Sequence, residues 1–105
     1  MPVKIDNLLK PPDDPTDREQ ILQLVGSGAV RIEQIISHGQ PSPEGVWYDQ
    51  PHAEWVLLIK GSATLSVAGE GRINLRAGDC LLLPGHLKHR VERTSGDAIW
   101  LAVHF

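Results

Sequence analysis

Glu54-Trp55-Val56-Leu57-Leu58-Ile59-Lys60-Gly61 is an apolar run of strand length that opens on a carboxylate and stops at a glycine. A second stretch, Gly78-Asp79-Cys80-Leu81-Leu82-Leu83-Pro84-Gly85-His86-Leu87-Lys88-His89, has a similar build: turn residues, a short apolar run, more turn residues and then a histidine. Glycine or proline bounds both runs, and neither has helical length, so each reads as a strand. Around them, residues 46–50, 63–68, 72–76, 89–94 and 98–105 read the same way. They are separated by Gly61-Ser62, Gly69-Glu70-Gly71, Ala77-Gly78-Asp79 and Ser95-Gly96-Asp97. Many short strands with such punctuation predict a sandwich or barrel rather than alternating β and α units.

Upstream the signals are mixed. In residues 29–37, Val30 and Ile32 alternate with Arg31 and Glu33, the period of two expected when one face is buried. Before it, Thr16 and Asp17 could cap a helix over residues 18–25, but Ile21-Leu22-Gln23-Leu24-Val25 is short and Gly26-Ser27-Gly28 follows it as a hairpin loop would. A strand is the preferred reading. Pro11, Pro12 and Pro15 make the preceding segment a surface connection. Residues 1–10, with Val3, Ile5, Leu8 and Leu9, read as an edge strand or one helical turn. His38 to Gly45 is a long loop rich in turn formers.

Composition narrows the function classes. A chain of 105 residues with 41% hydrophobic and 22% charged side chains supports one domain with one core and is far from the signature of disorder. A net charge of -3 gives no electrostatic reason to expect nucleic acid or an anionic membrane as partner. One cysteine, Cys80, cannot close an intramolecular disulfide and reads as a buried, inert thiol. No apolar run approaches the roughly 20 residues that span a bilayer, and no signal-type segment opens the chain, so a cytoplasmic location is expected.

Spacing then connects the two opening stretches. Tyr48, Gln50-Pro51, Glu54 and Gly61 fall in the first pattern; Gly78, Asp79, Pro84 and His89 fall in the second. Together they resemble the two motifs of the cupin superfamily, in which a His-x-His pair precedes a Glu and a closing Gly, and Gly-Asp leads to Pro-x-Gly-x-x-His. The resemblance covers about residues 45–105 and implies an all-β fold, a cupin-like jelly-roll β-barrel, as a single domain. Residues 1–15 would form an N-terminal arm and connection, and residues 16–105 the barrel. Two departures stand out: Tyr48 and Gln50 occupy the histidine positions, and His86 replaces the second glycine.

The resemblance also implies chemistry. In a typical cupin the four side chains at these positions hold a divalent metal that polarises a substrate oxygen, activates water or binds dioxygen. Residues two apart on a strand share a face, so Tyr48 and Gln50 are expected to look into the barrel together. A phenol and an amide suit late transition metals less than imidazole does, and His52 is the nearest compensating ligand. The expected metal set is therefore Gln50, His52, Glu54 and His89, for Fe, Mn, Ni or Zn, with Tyr48, Trp47 and His86 toward a small-molecule ligand. The implied function is binding of a divalent metal, a small polar molecule or both, with oxygenase, isomerase or decarboxylase chemistry; the alternative is a metal-free binding or regulatory module. His38 and His104 lack a partner motif and read as structural, and Arg90 reads as facing water. A homodimer joined through the apolar N-terminal residues completes the expectation.

Overall fold

The computed structural model describes residues 3–10 and 18–105. Among them lie eight strands: β1 (Gln20–Ser27), β2 (Val30–Ile36), β3 (Glu54–Lys60), β4 (Ser62–Val67), β5 (Gly71–Arg76), β6 (Cys80–Leu83), β7 (His89–Thr94) and β8 (Ile99–His104). The strands pair antiparallel in two sheets, one ordered β1-β2-β8-β3-β6 and the other β5-β4-β7. This is the jelly-roll barrel expected from the sequence. Two apolar faces too small to be stable alone bury each other.

Alternation decides what each strand contributes. Val56 and Leu58 of β3, Leu65 and Val67 of β4, Leu75 of β5, Leu83 of β6 and Trp100 and Ala102 of β8 form the core. Leu58 is completely buried. The outer face of the large sheet is also apolar, because Trp55, Leu57, Leu101 and Val103 alternate with those inward residues and remain half-buried. Part of that face is covered by residues 3–10: Gln34 Nε2 donates to Leu8 O (2.8 Å), and Leu9 lies beside Ile36 and Ile99.

Turn chemistry closes the barrel at specific points. At the β3–β4 corner, Gly61 has φ of 88°, and a Cβ there would lie 2.9 Å from Ala98 Cα. Glycine alone fits both demands. His86 adopts φ of 63° at the position where the family motif has glycine, and its Nδ1 lies 3.0 Å from Asp49 Oδ1. A backbone shape chosen for glycine has thus been retained by a side chain with a polar partner.

Several expectations need correction. Residues 46–50 form no strand; proline-rich neighbours leave only an isolated bridge between Tyr48 and His89. Cys80 is exposed, because β6 is an edge strand and Cys80 stands opposite Leu57 on the outward face. Arg90 does not face water: its guanidinium donates to the carbonyls of Ser42 (3.2 Å), Pro43 (3.1 Å) and Val46 (3.3 Å). It pins the loop that carries Tyr48 and Gln50. The strand preferred over a helix for residues 18–25 is borne out as β1, which begins at Gln20, whereas residues 3–10 form no edge strand: their last residues make a turn in which Lys10 N donates to Asn7 O. Thr16, Asp17 and the Pro11 to Pro15 segment lie outside the described residues. Among the described residues, no helix is long and apolar enough to cross a membrane.

Candidate functional site

The register of the large sheet places polar groups at one end of the barrel. Arg31 of β2 pairs with His104 of β8, and His104 pairs with Glu54 of β3. One step along, Glu33 is opposite Ala102, which is opposite Val56; the next inward residues are Ile35, Trp100 and Leu58. A single strand therefore runs from a titratable end to an apolar one. Ala102 is small, which leaves the Glu33 side chain room to reach diagonally to His104.

These groups surround a cavity of about 320 Å³ whose wall includes Tyr48, Gln50, Glu54, His89 and His104. Ile21, Ile35, Val56, Leu65, Leu83, Val91 and Trp100 supply its apolar surface. An apolar pocket with a few convergent polar groups is the usual form of a small-molecule site. Three carboxylates, Glu19, Glu33 and Glu54, share the wall with one guanidinium, Arg31. Arg31 Nε lies 3.1 Å from Glu33 Oε2. Glu19 is exposed as a residue yet lines the cavity, and desolvation there pushes its carboxyl up from the ordinary value.

Hydrogen bonding fixes the imidazoles. His89 Nδ1 is 3.0 Å from Leu87 O and donates to it, since a carbonyl oxygen can only accept. The Nε2 of the same ring faces Glu54 Oε1 across 3.8 Å, beyond hydrogen-bond reach. The other oxygen of the same carboxylate, Oε2, is 3.3 Å from His104 Nε2, and Glu33 Oε1 is 2.9 Å from that nitrogen. Behind the ring, His104 Nδ1 is 3.0 Å from His52 Nε2. Glu54 thus bridges two imidazoles, and all four side chains are largely buried.

Of the residues expected from sequence, Tyr48, Gln50, Glu54 and His89 come together in the cavity wall. Tyr48 is held by backbone bonds in both directions with His89, and their rings are 5.6 Å apart. His52 is not in the wall. It sits before β3 rather than on it and touches the cavity only through His104. Trp47 and His86 are exposed and also lie outside the wall. The sequence reading missed Arg31, Glu33 and His104. Their signal was alternation: once Trp100 points inward, Ala102 and His104 must follow, and on β2 the polar set rather than Val30 and Ile32 faces the cavity.

Among the described residues no group of three or more His, Cys, Asp or Glu side chains is placed to hold a metal ion. His89 Nε2 and Glu54 Oε1, 3.8 Å apart, are the pair of donor atoms that could share one. Donors on one ion, each about 2.0–2.2 Å from it, stand roughly 3–4 Å apart. The backbone bond at His89 Nδ1 is the outer contact that metal-ligating histidines usually make.

An antiparallel jelly roll of two sheets with a carboxylate–imidazole cluster at one end defines the class of protein. The chain belongs to the cupin family, whose cupin domain model matches residues 33–104. A Ralstonia eutropha JMP134 crystal structure, provisionally named a mannose-6-phosphate isomerase, is 41% identical with a TM-score of 0.88, covering 97% of each chain. An RmlC-like cupin from Desulfovibrio desulfuricans shares the fold at 20% identity and a TM-score of 0.76, covering 97% of this chain and 95% of its own. The 3-hydroxyanthranilate 3,4-dioxygenase of Cupriavidus pinatubonensis is 37% identical over 68 residues, 62% of this chain and 36% of that protein. The chain spans little more than a third of the length of the curated relatives it matches.

Proposed function

We propose that this protein is a cupin that holds a divalent metal ion at Glu54 and His89 and acts on a small organic acid, with oxygenase chemistry as the favoured class. The observation that carries the reading is His89 Nε2 facing Glu54 Oε1 at 3.8 Å, beyond hydrogen-bond reach. A buried imidazole nitrogen and carboxylate oxygen with no hydrogen bond between them leave a gap that a cation would fill. The excess of carboxylates over guanidinium on the cavity wall favours a positive charge as well. When bound, such an ion supplies a Lewis acid and open positions for substrate or dioxygen. Similarity to 3-hydroxyanthranilate 3,4-dioxygenase supports the oxygenase class.

The protein's own residues would do the rest. Arg31 lines the cavity and has Glu33 as its ion-pair partner among the described residues, so its remaining donors suit a ligand carboxylate. Tyr48 and Gln50 offer a hydroxyl and an amide on the same wall. Trp100 supplies a flat apolar surface. A second reading, a metal-free binding module, is favoured by His104 Nε2, which in the absence of a cation satisfies both Glu33 and Glu54.

Metal titration separates the two. Protein freed of metal by chelation and titrated calorimetrically with Mn²⁺, Fe²⁺, Ni²⁺ or Zn²⁺ should bind one ion per chain, and His89→Ala should abolish binding. Ligand binding that survives exhaustive chelation unchanged would establish the metal-free module instead.

Assembly and location belong to the same proposal. The half-buried apolar outer face of the large sheet, together with Val3 and Ile5 at 91% and 90% exposure, suits a second copy of this chain. The proposed assembly is a homodimer, and the proposed location is cytoplasmic. Removing residues 1–12 should halve the mass measured by light scattering; an unchanged mass would dismiss the arm as the dimerising element.

A further inference from the structure

We infer that the cavity takes an elongated small acid with a cationic group at its far end, an ω-amino acid: Arg31 receives the carboxylate and Glu19 the ammonium group. The inference rests on the small-acid reading above and not on the metal.

The charged groups of the wall differ in what they already hold. One Glu33 oxygen lies 2.9 Å from His104 Nε2 and the other 3.1 Å from Arg31 Nε, while Glu54 Oε2 lies 3.3 Å from His104 Nε2. Glu19 lines the same cavity without such a partner among the described residues, and desolvation raises its carboxyl. A partly desolvated carboxylate with no counter-charge gains most from a cation that the ligand brings. Arg31 approaches Glu33 through Nε, and its two terminal NH2 groups make no hydrogen bond among the described residues. Those groups form the fork that matches a carboxylate.

Register sets the spacing of the two charges. Ile21 of β1 is opposite Ile35 of β2, so Glu19 lies two residues to one side of that pair and Arg31 four residues to the other. Six residues of strand are roughly 20 Å of backbone. Between the two groups the wall is apolar, with Ile21, Ile35, Val56 and Trp100. An α-amino acid carries both charges on one carbon and cannot reach both groups. A chain with a charge at each end can, and it lays its methylenes on the apolar strip. The cavity of about 320 Å³ stands at the small end of ligand pockets, which suits one such short chain.

The test is calorimetric titration of the full-length protein, after chelation and again with Mn²⁺ added, using 6-aminohexanoate, its isomer L-leucine, hexanoate and hexylamine. 6-Aminohexanoate should bind at least about 10-fold more tightly than each of the other three, with or without the ion. Glu19→Gln should bring it down to the affinity of hexanoate, and Arg31→Gln should weaken both acids by about 10-fold. Arg31→Lys keeps the charge and loses the fork, and serves should glutamine impair folding, with circular dichroism as the check. Hexanoate binding as tightly as 6-aminohexanoate would overturn the ω-amino acid class and leave the small-acid reading standing. A preference that survives in Glu19→Gln would do the same. L-Leucine binding as tightly as its isomer would place both charges together and overturn the class as well. Binding of hexylamine alone, or of none of the four, would overturn the small-acid reading, and this inference with it.

Discussion

The two ends of β3 and β8 make opposite use of the same rule. At one end the inward residues are Glu54 and His104; a few residues along the same strands they are Leu58 and Trp100. Pleat alternation decides which side chains enter the barrel, but it is silent on whether what enters will be core or site. Depth along the strand decides that, because the apolar end is sealed by the Gly61 corner against Ala98, whereas the other end opens on the loop carrying Tyr48 and Gln50. Stability and function are therefore separable along a single strand.

Substitution can break that separation or sharpen it. The largest effect is expected at the sealed end: Leu58→Ala should cost about 2–5 kcal/mol in denaturant unfolding, since a fully buried leucine leaves a cavity behind. Glu54→Gln, at the open end, should behave in the opposite sense, changing unfolding by about 1 kcal/mol or less while removing metal binding in calorimetry. If Glu54→Gln proved as destabilising as Leu58→Ala, the polar cluster would be a structural element and the division between the two ends would collapse.

The smallest effect belongs to Glu19 at the rim. Its carboxyl is raised above the ordinary value by desolvation, so the protonated form is favoured in the folded state. The stability this contributes is fully present below the ordinary glutamate value and is lost as pH rises through the raised one. Glu19→Gln should therefore match the wild type in acid and melt slightly higher near pH 7. Melting curves at the two pH values measure this difference; equal shifts at both would mean that titration of Glu19 is not the cause.

Much of the barrel was legible because its signals are local. Glycine and proline punctuation marked the turns, and the boundaries of β3 and β7 agree with the sequence reading to the residue. Arg90 and Cys80 misled because their surroundings come from distant segments. A loop 44 to 48 residues upstream collects the Arg90 guanidinium, and the edge position of β6 leaves Cys80 exposed.

The site divides along the same line. Glu54, His89, Tyr48 and Gln50 could be found from motif spacing, since a turn of fixed length and a strand of fixed period carry them to one place. Glu33 and His104 carry no such mark: Glu33 sits in an alternating strand whose polar face looked solvent-bound, and His104 stands near the end of the chain without a neighbouring motif. The sequence by itself determined an all-β barrel and half of a polar centre, because those follow from periodicity and turn chemistry. Only the tertiary structure decided that β8 runs between β2 and β3, and with that register Glu33, His104 and Glu54 meet across three strands separated widely in sequence.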